Sequence, residues 1–219
     1  MRRHLGFMGM VALAIAAAFV PESAIAQLGS RPAAEWIARL ERPERVKELK
    51  VDYIIDKLRL GPGMIVADLG AGAGVFAYPF ARAVGAKGKV YAVDVDQGFI
   101  DYIQKRAQEQ NLGNLQAILG KFEDPRLPET IDLAFFHDVL HHVDKREAYL
   151  KTVAGYLKPG GRIAVVELDV TRPDASHRDD PKLQVRKEEL QQWMAAAGLD
   201  RAEEIPLVDD KWFVVYQKK

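Results

Sequence analysis

The chain has 219 residues, 48% of them hydrophobic, which is material for one domain with a sizeable core and little left for a second. Its 31 lysines and arginines equal its 31 aspartates and glutamates, so no overall field favours nucleic acid or an anionic membrane surface. With no cysteine there are no disulfides, thiol nucleophiles or thiolate metal sites.

At the N-terminus, Arg2 and Arg3 precede an apolar run from Leu5 to Val20, and Ala24-Ile25-Ala26 has the small-x-small form of a signal-peptidase site. The expectation is a signal peptide over 1–26, export to a periplasm-like compartment and Gln27 as the new N-terminus. The alternative is an uncleaved anchor, although the run is shorter than the roughly 20 residues of a spanning helix and contains Gly6 and Gly9. No membrane span is expected in the mature chain. Residues 27–44 then read as a polar stretch in which only Ala34 to Leu40 has helical spacing, with Trp36, Ile37 and Leu40 on one face, a short lid or a packing arm.

The main domain is expected over 45–219. A helix is predicted from Arg45 to Leu58, closed by Gly61-Pro62-Gly63. Strands are predicted at 64–69, 89–94, 115–119, 131–136 and 162–168, with helices at 75–84, 98–110 and 145–157 between them. Such alternation specifies an α/β fold with a mostly parallel sheet covered on both faces. Thr171 to Pro181 reads as a polar loop beside a ligand cleft, the natural place for substrate selection. A helix at 186–197 and two strands, 202–207 and 212–217, complete the chain.

The first strand ends in Asp68-Leu69-Gly70-Ala71-Gly72-Ala73-Gly74. Glycines at alternate positions let a turn pass through positive φ and let backbone approach a ligand, while the following helix presents free N–H groups. The second strand ends at Asp94, about the 20-residue offset at which an acid receives ribose hydroxyls. An adenosine-containing cofactor is therefore expected.

These segments, in this order, resemble the class I S-adenosylmethionine (SAM) dependent methyltransferases, from about Arg45 to the C-terminus. Val66 to Gly74 resembles the family's first motif, Asp94 the ribose acid of the second, and Gly120 to Pro128 the segment bordering the adenine, with Lys121 where many members carry aspartate. Ile131 to His142 resembles the fourth strand and its loop, and Leu157 to Arg162 the turn into the fifth. Glu41-Arg42-Pro43-Glu44-Arg45 resembles a stretch of small bacterial methyltransferase-like proteins that carry an export signal. The resemblance implies a Rossmann-like doubly wound sheet of seven strands with a C-terminal antiparallel hairpin. It implies SAM as cofactor, held by Asp68, Gly70, Ala71, Gly72, Gly74, Asp94, Val95, Glu123, Asp124 and His137.

Methyl transfer from a sulfonium is a direct displacement that needs alignment and exclusion of water, and needs a base only when the acceptor carries a proton. Ligands of open α/β sheets bind beyond the carboxyl ends of the strands, where His137, Asp138, His141 and His142 fall. His137 or His141 could take the acceptor's proton with Asp138 orienting an imidazole; equally, the segment could serve to position the cofactor. The spacing His137-x-x-x-His141 would set two imidazoles on one helical face, yet similar pairs occur in the resembled family without metal, and no metal ligands are assigned. The expected activity is transfer of methyl to a small-molecule acceptor. The competing readings are an exported, non-catalytic SAM or nucleoside binder and, on the glycine turn alone, a nicotinamide oxidoreductase.

Overall fold

The computed structural model of the chain describes residues 32–207 and 210–219. The proposed signal peptide and its cleavage site lie outside the described residues. Seven strands form one sheet in the order β3-β2-β1-β4-β5-β7-β6. They are β1 Ile65–Leu69, β2 Lys89–Asp94, β3 Leu115–Leu119, β4 Ile131–His137, β5 Leu157–Leu168, β6 Leu199–Ile205 and β7 Lys211–Lys218. Strands β1 to β5 pair in parallel, whereas β7 pairs antiparallel with both β5 and β6. The doubly wound sheet with its C-terminal hairpin is thus present, the last strand inserted between β5 and β6.

Because successive residues of a strand face opposite sides, each buried strand feeds two cores. On one face Val66, Leu133, Phe135 and Ala164 pack with α3 Val51–Leu58, α4 Ala77–Val84 and α5 Gln97–Glu109. On the other, Ala67, Phe136, Ile163 and Val165 pack with α6 Arg146–Tyr156 and α7 Lys187–Ala196. The chain runs from β1 outward through β2 and β3, then returns to place β4 on the other side of β1. The crevice at this reversal, above the carboxyl ends of β1 and β4, is where ligands bind in such sheets.

Three elements differ from the sequence-based expectation. The helix predicted over 45–58 is two helices, α2 Pro43–Glu48 and α3, separated at Leu49 and Lys50, where Lys50 adopts the left-handed conformation at φ 49°. No glycine or proline marks that break. Strand β5 starts at Leu157 rather than 162, because Leu157 pairs with Ile131; a register shift then leaves Lys158-Pro159-Gly160-Gly161 without ladder partners until Arg162 pairs with Leu133. Strand β6 begins at Leu199, directly after Gly198, whose φ of 80° turns the chain out of α7. The arm helix α1 spans Ala33–Leu40 as its spacing predicts. No helix among the described residues is long and apolar enough to cross a membrane.

Candidate active site

The turn after β1 is pinned to β2 and shaped around bare backbone. Gly70 and Ala71 donate their amides to the Val93 carbonyl at 2.8 and 2.9 Å. Gly70, Gly72 and Gly74 have φ of 74°, 52° and 77°, which L side chains adopt at a cost. A Cβ on Gly70 would lie 2.2 Å from Val139 Cγ2, so the turn and the loop after β4 approach as closely as they do only because Gly70 has none. Gly74 serves packing instead, since a Cβ there would strike the Tyr78 ring.

Asp94, at the end of β2, gathers the surrounding amides. Its Oδ2 accepts from Gly72 at 2.9 Å, and its Oδ1 from Val95 at 2.8 Å and Asp96 at 3.1 Å. Burial raises its pKa and these amides oppose the rise. Asp68 is buried with less compensation: its Oδ2 has no hydrogen-bond partner. Desolvation, reinforced by the neighbouring Asp94 and opposed by the Ala77 amide, pushes Asp68 up to about 7. An orphaned acid beside a glycine turn fits a cationic ligand group.

Three adjoining cavities run along the strand ends. The first is lined by Val93, Asp94, Val95, Phe122 and Tyr149, with Asp180, Lys182 and Leu183 from the loop after β5. The second is lined by Asp68, Gly70, Ala71, Gly72, Phe76 and Phe99, and is covered by Trp36 and Leu40 of α1. The third holds Arg45, Lys50, Asp210 and Lys211. Gly70, Asp94, Val139 and His142 line both the first and the second. Arg45, Leu49, His137 and Asp138 line both the second and the third, so these four stand where the two meet. Glu123 and Asp124 are not brought to these cavities. Asp124 instead caps its own turn, accepting from the Arg126 amide at 2.7 Å and the Tyr156 hydroxyl at 2.9 Å, and the neighbouring Phe122 faces the ligand space.

His137 ends β4 with its ring against Phe76, centroids 4.8 Å apart. Its side chain is 6% exposed, and desolvation lowers its pKa, leaving a neutral imidazole. Its Nδ1 lies 3.3 Å from Asp138 Oδ2, and Asp138 Oδ1 accepts from Lys211 Nζ at 2.8 Å. Asp138 is held at φ 53°, a left-handed conformation that the paired carboxylate tolerates. Of the two candidate histidines, His137 is the one that Asp138 approaches.

His141 lines the first cavity, in the short turn of 3-10 helix Leu140–His142 rather than on a helix shared with His137. The one-face pairing expected from their spacing is not formed. Its Nδ1 lies 2.8 Å from Oε2 of Glu167 on β5, both side chains being buried, and its amide donates to Glu167 Oε1 at 3.2 Å. Arg146 ties this turn to the loop after β5: it donates to the carbonyls of Leu140, His141 and Gln184 at 3.2, 2.9 and 2.9 Å, and to that of Lys182. His142 is lowered to about 4 by desolvation and by its neighbours His141 and His177, so it is neutral.

The sequence reading missed Trp36, Phe122, Tyr149, Glu167 and Lys211. Trp36 was legible as part of an apolar helix face, but nothing in its spacing distinguishes a cofactor cover from a packing arm. Glu167 and Lys211 meet their partners from 26 and 73 residues away.

A doubly wound sheet with a terminal antiparallel hairpin, a glycine turn beside a buried acid and a second acid at the end of β2 make up the fold of the class I SAM-dependent methyltransferases. The chain belongs to the family described as "Methyltransferase domain", which it matches over residues 60–198. It is 29% identical over 117 residues to a ubiquinone/menaquinone biosynthesis C-methyltransferase UbiE of Vibrio vulnificus, covering 52% of this chain and 45% of that protein. The chain therefore spans about half the length of the curated relatives it matches. A SAM dependent methyltransferase from Aquifex aeolicus superposes with a TM-score of 0.76 at 22% identity, covering 86% of this chain and 99% of that one. Magnesium protoporphyrin IX methyltransferase from Synechocystis, with bound SAM, gives 0.61 at 19%, covering 80% of each. At these identities the structures share the fold. The residues present fit SAM, the group that this fold implies: Asp68 would offer an acid for the ammonium, Asp94 a carboxylate for hydroxyls and the bare glycine turn a close approach.

Proposed function

We propose that this chain transfers the methyl group of SAM to a small-molecule acceptor that carries a dissociable proton. The observation that carries the reading is the meeting point of the second and third cavities. There a neutral, oriented imidazole, His137, stands between the proposed cofactor space and a separate polar chamber. The bound cofactor supplies an electrophilic methyl carbon on a sulfonium. The chain's own residues do the rest: the glycine turn, Asp68 and Asp94 fix the donor, and α1 excludes water from above. Asp138 and Lys211 hold the His137 ring so that it can accept the acceptor's proton as the new bond forms.

We assign proton acceptance to His137 over His141 because His137 lines the chamber junction, whereas His141 is committed to the buried Glu167. The relative named as a C-methyltransferase makes an activated carbon, alongside phenolic hydroxyls, the first acceptor class to screen. Balanced charge and an enclosed trench support a small molecule over a macromolecule. We further propose that residues 1–26 direct export, which sequencing the N-terminus of the exported protein tests: a start at Gln27 supports it and an intact Met1 overturns it.

The first test is calorimetric titration with SAM, S-adenosylhomocysteine and NAD, followed by an acceptor screen read as S-adenosylhomocysteine formed. Binding of both sulfur nucleosides without NAD, and turnover on a phenol or carbon acid, is the expected result. Binding without turnover across the screen would favour a cofactor-binding protein that keeps the fold.

A further inference from the structure

Two residues that line the second cavity each carry a buried polar atom without a hydrogen-bond partner, Oδ2 of Asp68 and Nε1 of Trp36. An indole N–H can only donate and an ionised carboxylate can only accept. Neither atom meets water, and leaving such groups unsatisfied in the interior is costly. The cavity thus requires of its ligand both a donor and an acceptor, a demand that the ammonium and carboxylate of an α-amino acid meet together.

We infer that Trp36 is a ligand-binding residue, donating its indole N–H to the carboxylate at the methionine end of SAM. The arm helix is then part of the cofactor site rather than packing outside it. This rests on the assignment of SAM given above, and it assigns a binding role to residues 33–45 that the matched family segment, starting at residue 60, does not contain.

The arm is fitted to that position. A Cβ on Gly98 would lie 2.5 Å from Ala33 Cβ, and one on Gly72 would lie 3.0 Å from Leu40 Cδ1, so two glycines of the nucleotide-binding unit are bare where α1 crosses them. Just beyond α1, Glu41 accepts from the Tyr102 hydroxyl at 2.6 Å and faces Arg106 at 3.9 Å, anchoring the arm to α5. Arg45 lines the same cavity, with one of its N–H groups held by the Leu40 carbonyl at 3.0 Å, and the Arg39 guanidinium lies 5.5 Å from the centre of the Trp36 ring. A carboxylate received between Trp36 and Arg45 would be enclosed by protein on the side away from the sheet. Because the indole nitrogen is sealed from water in the docked arm, a ligand reaches it as the arm settles, and the last hydrogen bond of the cofactor site forms on closure.

The experiment compares S-adenosylhomocysteine with 5′-methylthioadenosine, which keeps the adenosine and sulfur but lacks the whole amino-acid end. Titrated into the wild-type protein and Trp36→Phe, S-adenosylhomocysteine should bind the variant about ten-fold more weakly or worse, as loss of a hydrogen bond to a charged group requires, while 5′-methylthioadenosine binds both alike. In the wild-type chain, which has three tryptophans, the indole N–H resonance of Trp36 should move with S-adenosylhomocysteine and stay in place with 5′-methylthioadenosine; this readout does not depend on the variant folding. Equal affinities for S-adenosylhomocysteine, an equal loss for both nucleosides, or an unmoved resonance would overturn the inference while leaving the cofactor assignment intact. A wild-type protein that binds neither nucleoside would overturn both.

Discussion

Lys211 Nζ, on the first residue of β7, lies 2.8 Å from Asp138 Oδ1, and Asp138 Oδ2 lies 3.3 Å from His137 Nδ1. Burial alone would raise the pKa of Asp138, but His137 and Lys211 outweigh it and the net shift is downward. A depressed acid stabilises the fold above its unfolded pKa, near 4, and loses that contribution as pH falls through the folded value. Lys211→Met should cost about 1–3 kcal/mol at pH 7 by leaving a mostly buried carboxylate unpaired. Urea unfolding of both proteins between pH 7 and 3 checks it: the difference should shrink toward zero at the acid end. A constant difference would mean that Lys211 acts through packing.

Asp68 makes the opposite prediction. With its pKa pushed up to about 7, it is protonated below neutrality and offers no charge to an ammonium. SAM affinity should therefore increase as pH rises through about 7, then decline above about 8 as the ligand's own α-amino group loses its proton. Asp68→Asn should bind about ten-fold more weakly at pH 7.5 and lose the rising limb, keeping only the decline. Calorimetry across pH 6 to 9 reads both limbs.

Asp94 and the two buried histidines should separate binding from turnover. Asp94→Ala removes a carboxylate that orders three backbone amides, and SAM binding should weaken by on the order of 2 kcal/mol. His137→Ala should lower kcat by about a hundred-fold, the lower range for a proton acceptor, with SAM affinity within a few-fold of wild type. For His141→Ala the main loss should be stability, about 2–3 kcal/mol, since Glu167 is left buried without its imidazole. Matched measurements of kcat, SAM affinity and urea midpoint on the three variants would sort these roles. A folded His141 variant that lost turnover as severely as the His137 variant would reverse their assignment.

Gly70→Ala should be destabilised by about 2–3 kcal/mol, combining a Cβ at positive φ with the 2.2 Å approach to Val139 Cγ2. Val139→Ala in the same chain should recover part of that loss, because it relieves the collision but leaves the backbone strain. Thermal unfolding of the two single variants and the double variant measures the coupling. Additive losses would show that the loop after β4 moves away freely.

Much of this molecule could be read from residue order because local chemistry decided it. Asp68 to Gly74 announces a bare turn, and the 3.6- and 2-residue periods separate helices from strands through α6. The broken helix at Leu49–Lys50 was not legible, because a non-glycine residue takes the left-handed conformation there with no local marker. Leu157 looked like the end of a helix because its strand character comes from pairing with Ile131. In the turn after β3, Glu123 and Asp124 drew the reading by their charges, whereas Lys121 and Phe122 are the residues of that turn that line the first cavity. Partners such as Lys211 with Asp138 exist only once the sheet order is set, and nothing within a few residues of either encodes them.

That order also imposes a schedule on assembly. Strand β5 carries an apolar core on both faces, but the neighbour on its outer side is β7, which emerges only after β6 has been made. Until those eight residues pair, β5 presents an open edge, β6 has no ladder to join, and Asp138 is without its counter-ion. Closing the edge and neutralising that carboxylate are one event. Exposed β5 in a nascent or unfolding chain is accordingly the segment most in need of protection from pairing with another copy, and competence for chemistry is gained in the same step that removes this hazard.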